Sequence, residues 1–295
     1  AGLPFSVLRS IVNRIEIFGK EEKKMIAVLI ILCMLLVAYL IAIMPRMMGR
    51  PDYTPLMGHY YAHRGLHDNE TDAPENSMAA FRKAVDAGYG IELDVQLTKD
   101  RIPVVFHDES LKRVCGVKGN VRDYTFEELQ QFHLCKSEEK IPLFSDFLKL
   151  VDGKVPLIIE IKIHEDYKTV CSIADELIRE YKGVYCIESF NPHAVKWYKE
   201  HRPDVIRGQL SSRLAPKGER EPFLYMMSHY LLFNCVAKPD FIAYDHLHKG
   251  NISRTLCQKL YHALSVAWTI KSQEQLDASR KQFDLFIFEG FIPKE

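Results

Sequence analysis

The sequence predicts an α/β protein built on a parallel, eight-stranded barrel. Three observations carry the prediction. From about residue 58 onward, apolar runs of strand length alternate with segments of helical period, the sequence pattern of a parallel sheet. The stretch 58–295 matches the roughly 200–250 residues such barrels occupy as one unit. No Gly-rich turn follows the first strand, which disfavours the runner-up, an open doubly wound sheet. The strand runs lie near 60–64, 90–96, 157–162, 184–189, 205–210, 240–244, 264–269 and 285–289. Helical patterns fall between them, as at 77–87, 166–181, 192–200, 222–236 and 251–262.

Ahead of the barrel, residues 1–24 form an N-terminal segment and 25–44 one transmembrane helix. Met25 to Met44 is twenty residues without a charge. As a helix it spans about 30 Å, the thickness of a bilayer core. A buried core helix would keep a polar face. A signal peptide would have a shorter run and a small-residue cleavage site. Flanking charge sets the expected orientation. Arg9, Arg14, Lys20, Lys23 and Lys24 precede the run, and Arg46 and Arg50 follow it. This bias places the N-terminus in the cytoplasm and the large domain outside. Val7, Ile11, Ile15 and Phe18 recur at helical spacing and suggest an interfacial helix. Residues 45–57 are expected to be a Pro/Gly-containing linker, and 58–295 the folded domain.

The chain carries 39 basic and 39 acidic residues, so nothing supplies the basic stripe that nucleic acid requires. Six of its seven cysteines (Cys115, Cys135, Cys171, Cys186, Cys235, Cys257) lie in the domain without CxxC spacing. They fit either reduced buried thiols or extracellular disulfides, and no cluster suggests zinc. The sequence leaves oligomeric state open.

One apolar run, Ile102 to Phe106, follows Leu97 too closely for a parallel crossover. It is expected to form a hairpin with 90–97. If the turn centres on Lys99-Asp100, His107 lies opposite Glu92; if on Asp100-Arg101, opposite Asp94. Residues 108–150 then make a small insertion after this hairpin, with a short helix near 125–133.

The strand Ile91 to Leu97 alternates strictly, with Glu92, Asp94 and Gln96 on one face and apolar residues on the other. The pattern recurs at 158–163, where Glu160 and Lys162 share a face. Buried carboxylates need a positive partner. Three from two strands, without cysteine, suit one hard divalent cation, Ca²⁺ or Mg²⁺; the alternative is an ion-pair network. His63 ends the first strand and His107 ends the hairpin, so both converge on this cluster as candidate proton-transfer partners. Arg64 and Lys162 supply positive charge suited to phosphate. A metal, two imidazoles and two cations describe phosphodiester cleavage.

In order and spacing, His63-Arg64-Gly65, Ala73-Pro74-Glu75-Asn76-Ser77, Glu92-Leu93-Asp94-Val95, His107-Asp108, Glu160-Ile161-Lys162, Ser189-Phe190 and Trp268-Thr269 resemble the glycerophosphodiester phosphodiesterase family. The resemblance covers about 58 to 290. It implies a TIM (β/α)8 barrel that releases glycerol 3-phosphate and an alcohol, with the insertion capping the site. It implies His63 and His107 as the acid/base pair, Glu92, Asp94 and Glu160 as metal ligands, and Arg64 and Lys162 as phosphate contacts. It also implies attack by the substrate's glycerol 2-hydroxyl, then hydrolysis of a cyclic phosphate. Glu75 fits a partner for Arg64, a metal ligand or a helix N-terminal carboxylate. Phe190 and Trp268 fit a pocket wall or core packing.

The chain departs from the family where Asp100-Arg101 replaces the usual Asp-Gly, where Ile270-Lys271 follows Trp-Thr, and where Glu289-Gly290-Phe291 ends the last strand. These positions bear on substrate preference. The alternatives are a lysophospholipase D acting on membrane lysolipids, a relative that stops at the cyclic phosphate, and an inactive membrane-tethered scaffold. Residues 222–236 fit either a barrel helix or a lipid-facing surface. A scaffold has no physical need for the acidic constellation.

Overall fold

The structure, a computed structural model, describes residues 5–213 and 222–294, with side chains from residue 22 onward. It divides into two compact units, Ala1–Ala42 and Ile43–Glu295. The first is part of one helix, α1 (Phe5–Ile43). Within α1, Glu22–Ile43 has a mean hydropathy of 3.2 and is long and apolar enough to cross a membrane. The side chains expected to make an interfacial face, Val7 to Phe18, lie outside those described, as do Arg9, Arg14 and Lys20.

The second unit is a closed parallel barrel. Its strands are β1 (Tyr60–His63), β2 (Gly90–Leu97), β4 (Leu157–Ile161), β5 (Tyr185–Ser189), β6 (Arg207–Ser211), β7 (Phe241–Asp245), β8 (Leu264–Ile270) and β9 (Leu285–Phe288). They run in the order β1-β9-β8-β7-β6-β5-β4-β2, and a β1–β2 pairing closes the ring. A short β3 (Pro103–Val105) adds antiparallel to the upper end of β2. The helices of this unit are α2 (Met78–Asp86), α3 (Lys112–Cys115), α4 (Phe126–Leu129), α5 (Phe144–Val151), α6 (Tyr167–Glu180), α7 (Pro192–His201), α8 (Phe223–His229), α9 (Asn234–Ala237), α10 (Ile252–Lys259) and α11 (Gln273–Ser279).

Alternation along the strands decides what fills the barrel. Tyr61, Ile158, Cys186, Phe241, Leu264 and Leu285 form one buried interior cluster. Glycine makes room for the two rings. A Cβ added at Gly208 would sit 2.1 Å from the Phe241 ring, and one at Gly90 2.7 Å from the Tyr61 ring. Leu56 closes the floor, fully buried in the same cluster, with its carbonyl accepting from Tyr61 Oη at 2.7 Å. Residues 45–57 therefore pack as part of the compact unit, which starts at Ile43.

Three expectations change. The hairpin register pairs Val95 with Val105 and Leu97 with Pro103, so neither expected register holds. Thr98 N–H donates to Ile102 O, leaving a three-residue loop that ends on Arg101 at φ +61°. Arg101 N–H donates back to Thr98 O at 2.9 Å, and a left-handed last loop residue is common in three-residue hairpins. His107 reaches the barrel centre because the chain bends after Val105, not by strand alternation.

The single helix expected at 222–236 is two pieces, α8 and α9, broken at Leu231 with φ +56°. No residue of α8 is buried, and Phe223 and Leu224 are 67% and 64% exposed. Ile43 is fully buried beside α9, its carbonyl accepting from Asn234 Nδ2 at 2.8 Å. Lastly, α5 lies inside the stretch read as insertion, yet it packs on the barrel through an edge-on Phe81–Phe147 contact of 4.5 Å.

Candidate active site

Two residues above Tyr61, Ile158 and Cys186, the inner faces of β1, β4 and β5 turn polar at His63, Glu160 and Glu188. At the C-terminal mouth, where such barrels hold their sites, a cavity of 410 Å³ is lined by His63, Arg64, Glu92, His107, Glu160 and Glu188, among others. Parallel pairing sets the carboxylates side by side: Asp94 opposes Glu160, and Glu160 opposes Glu188. One oxygen each from Glu92, Asp94 and Glu160 lies within 4.8 Å of the other two.

The loop after β1 brings up Arg64, and the end of β4 brings up Lys162. Arg64 (φ +56°) and Asn76 (φ +55°) both hold left-handed backbone, joined by Asn76 N–H donating to Arg64 O at 3.0 Å. Such strain persists only where surrounding contacts fix it. Ser77 caps α2 by accepting from Ala80 N, and Asn76 Nδ2 donates to Asp94 Oδ2 at 2.9 Å. Glu75 accepts from Arg64 at 2.8 Å, and also from Asn69 and Arg113. It is absent from the carboxylate cluster. Arg64 Nε stands 3.4 Å from Asp94, and Lys162 Nζ lies 3.1 Å from Asp94 and 2.8 Å from Glu160.

The electrostatics follow from burial and these neighbours. Burial raises the Glu92 carboxyl well above its usual range, and Asp94, Glu188 and Glu160 add to the rise. Burial, then Glu160, does the same at Glu188. Burial also raises Glu160 against the pull of Lys162. At Asp94 burial is outweighed by Lys162, His107, Arg64 and the Asn76 hydrogen bond, which hold its carboxyl far below the usual range. Burial pushes the His63 imidazole down to about 4, against Glu289.

Each histidine is oriented by a carboxylate. His63 Nδ1 meets Glu289 Oε2 at 2.6 Å, and His107 Nδ1 meets Asp108 Oδ1 at 2.6 Å. A carboxylate can only accept, so Nδ1 carries the proton and Nε2 is left for exchange. Phe190 and Trp268 pack edge to face at 5.6 Å, and both line the cavity.

The cluster fits a hard divalent cation. With Glu92, Asp94, Glu160 and Glu188 all ionised, Arg64 and Lys162 leave two negative charges unbalanced. The donors are all oxygens, and Glu188 Oε2 is buried without a hydrogen-bond partner among the described residues.

All the candidates read from sequence meet at this mouth: His63, Arg64, Glu75, Glu92, His107, Glu160, Phe190 and Trp268 line the cavity, and Asp94 and Lys162 bond into its floor. Sequence reasoning missed Glu188 and Arg113, and read Glu289 only as a departure bearing on substrate preference, not as the partner of His63. The first had a signal, because alternation in β5 puts Cys186 and Glu188 on the inner face just as β4 does with Ile158 and Glu160. Glu289 is the residue after β9. Arg113 carries no periodic signal.

Fold and cavity define a class: a parallel (β/α)8 barrel with buried carboxylates, flanking cations and two oriented histidines at the strand ends. Within that class, the chain belongs to the Glycerophosphoryl diester phosphodiesterase family, whose model matches residues 63–281. It is 44% identical over 110 residues to a glycerophosphodiester phosphodiesterase of Bacillus altitudinis, covering 35% of this chain and 44% of that protein. A namesake from Caldanaerobacter subterraneus subsp. tengcongensis is 34% identical over 161 residues, covering 50% of this chain and 65% of that protein. The chain thus spans less than two thirds of the length of these curated relatives. In fold it resembles an Oleispira antarctica phosphodiesterase solved in complex with the product sn-glycerol-3-phosphate, with a TM-score of 0.63 and 21% identity, covering 79% of this chain and 93% of that one.

Proposed function

We propose that this chain hydrolyses glycerophosphodiesters to glycerol 3-phosphate and an alcohol. The observation that carries the reading is the convergence at one cavity of three clustered carboxylates, two carboxylate-oriented histidines and two cations. Glu92, Asp94 and Glu160 would hold one divalent cation, calcium or magnesium, which when bound stabilises charge developing on the phosphoryl oxygens. Arg64 and Lys162 bind and orient the phosphate, each restrained by its carboxylate partners. His63 and His107 exchange protons at Nε2, one taking a proton from the attacking hydroxyl and the other giving one to the leaving alkoxide. Glu289 and Asp108 hold the two imidazoles in that tautomer. Phe190 and Trp268 bound the cavity on its apolar side.

The apolar run 25–44 anchors the domain 58–295 in a bilayer, with the five preceding basic residues on the cytoplasmic side. Labelling of a cysteine introduced on the barrel surface in intact cells, but not of one introduced near residue 10, supports this orientation; the reverse pattern overturns it.

A lysolipid substrate is the second reading, favoured by α8, of which no residue is buried and whose Phe223, Leu224 and Tyr225 are exposed. Both readings are tested by glycerol 3-phosphate release from glycerophosphocholine and from a lysophospholipid in detergent, with and without chelator, beside His107→Ala. Chelator-sensitive release lost in the variant supports hydrolysis, and the faster substrate chooses between the readings. No release with any cation, or a stable cyclic product, sinks the hydrolase reading.

A further inference from the structure

We infer that Arg113 is a positioning residue, through which the insertion holds the His107 flank and the Arg64 flank of the site in one fixed arrangement. The inference rests on the roles proposed above for His107 and Arg64.

Arg113 belongs to α3, which sits on a buried platform. Leu111 and Val114 are buried in a small core with Val104, Phe106, Leu129 and Ile141. That core seats α3, and hydrogen bonds to Glu75 and Asp108 set where the guanidinium points. Arg113 donates four hydrogen bonds. Two go to the Glu75 oxygens, at 2.6 and 2.7 Å, and two to the Asp108 oxygens, at 2.7 and 2.9 Å. Both acceptors lead directly into the site. Asp108 Oδ1 also bonds His107 Nδ1 at 2.6 Å, and Glu75 Oε1 also accepts from Arg64 Nη1 at 2.8 Å. One guanidinium thereby closes two chains, Arg113–Asp108–His107 and Arg113–Glu75–Arg64.

The arrangement needs arginine. Only a planar fork with several fixed donors can serve two carboxylates bidentately; a lysine is a point charge on a flexible stem. Charge matters as much as shape. Glu75 divides its negative charge between two guanidinium groups, so loss of Arg113 leaves Arg64 to bear that carboxylate alone, beside Asp94. Asp108, held at both oxygens by Arg113, cannot rotate away from His107. Loss of the clamp therefore misplaces an acid/base group and a phosphate ligand together. Misplacement of about 1 Å is enough to cost about 100-fold in rate.

The test uses the full chain in detergent with divalent cation present. The expected result is that Arg113→Met lowers kcat/KM about 100-fold, with kcat and KM both worsened because both flanks shift. Arg113→Lys keeps the charge, loses the fork and falls between. The Arg113 side chain is 47% exposed, so its place is open to a small cation. Millimolar methylguanidinium should restore part of the Arg113→Met activity and none of the His107→Ala activity. A purely structural role would give neither rescue nor a loss exceeding the fraction unfolded, which melting curves report. Asp108→Asn should add little once Arg113 is Met. The inference is overturned if His107→Ala is inactive while both Arg113 variants keep wild-type kcat/KM, or if the Arg113→Met loss tracks unfolding and resists methylguanidinium. If His107→Ala itself stays active, the proposed role of His107 falls and takes this inference with it.

Discussion

On β1, β4 and β5, two layers of the barrel interior, two residues apart, have opposite physical characters. The lower layer is apolar and closed, with Tyr61 and Phe241 seated over glycines and Leu56 beneath. The upper layer holds His63, Glu92, Glu160 and Glu188, all buried or partly buried, with like charges facing one another across paired strands. The lower layer releases apolar surface from water at every contact, which stabilises the fold. The upper one confines negative charge where water cannot screen it, which costs stability and shifts the carboxyls Glu92, Glu160 and Glu188 upward. The difference teaches that strand alternation alone can carry both tasks. Position along the strand then separates stability from chemistry.

If that division is right, changes in the upper layer should destroy activity and spare the fold. Glu92→Gln and His107→Ala are each expected to lower kcat/KM by about 10²–10⁴-fold, the range for an acid/base group or an electrostatic stabiliser. Without divalent cation, Glu92→Gln should not lower the melting temperature, because it removes one of several crowded buried charges. A clear drop measured in chelator would break the comparison. The lower layer should answer in reverse. Phe241→Ala is expected to cost about 3–5 kcal/mol in denaturant unfolding, the usual loss for a buried ring. The molecules that remain folded should turn over substrate at close to the normal rate. A catalytic loss exceeding the unfolded fraction would show that the layers are not independent.

Much of this division could be read before the structure. All eight barrel strands were visible as apolar runs, because each is buried on both faces and short. The carboxylates of β2 and β4 stood out because they break an apolar alternation that burial makes strict. What stayed hidden depended on tertiary placement. Arg113 meets Glu75 only after the insertion folds, 38 residues away along the chain. That His107 faces the acids depends on the bend after Val105, since the three-residue loop puts it out of phase with Glu92 and Asp94, and Asp100-Arg101 announces neither the loop length nor the bend. The break in the 222–236 helix was masked by its apolar content, since hydrophobicity without a clear face does not say what covers it.

Glu75 lies between the layers' two characters: a buried acid whose charge is fully partnered. Burial would raise its carboxyl, but hydrogen bonds from Arg113 and the nearby Arg64 and Asn69 bring it down to about 2, from an ordinary 4.5. A folded-state value below the unfolded one means stabilisation that is complete above about pH 4.5 and disappears as pH falls toward 2. The contribution is on the order of 3 kcal/mol. The unfolding free energy should fall over that pH window, and Glu75→Gln should flatten this part of the profile. An unchanged profile would mean that Glu75 is not the partnered acid the hydrogen bonds describe.

The smallest effect is expected where neither layer is touched. Arg101 closes the β2–β3 loop at φ +61°, a region where a side chain costs roughly 1 kcal/mol and glycine does not. Arg101→Gly removes that cost but adds freedom to the unfolded chain, so the net gain is about 0.5 kcal/mol. The loop joins the strand that carries Glu92 and Asp94 to the one that leads to His107, so the variant also asks whether that hairpin is already in its resting geometry. A slightly raised melting temperature with kcat/KM unchanged would mean that the turn strain is local and takes no part in placing His107. A fall in kcat/KM without a fall in stability would mean that the left-handed residue helps set the bend after Val105, and the upper layer would then extend to a turn that lies outside the barrel.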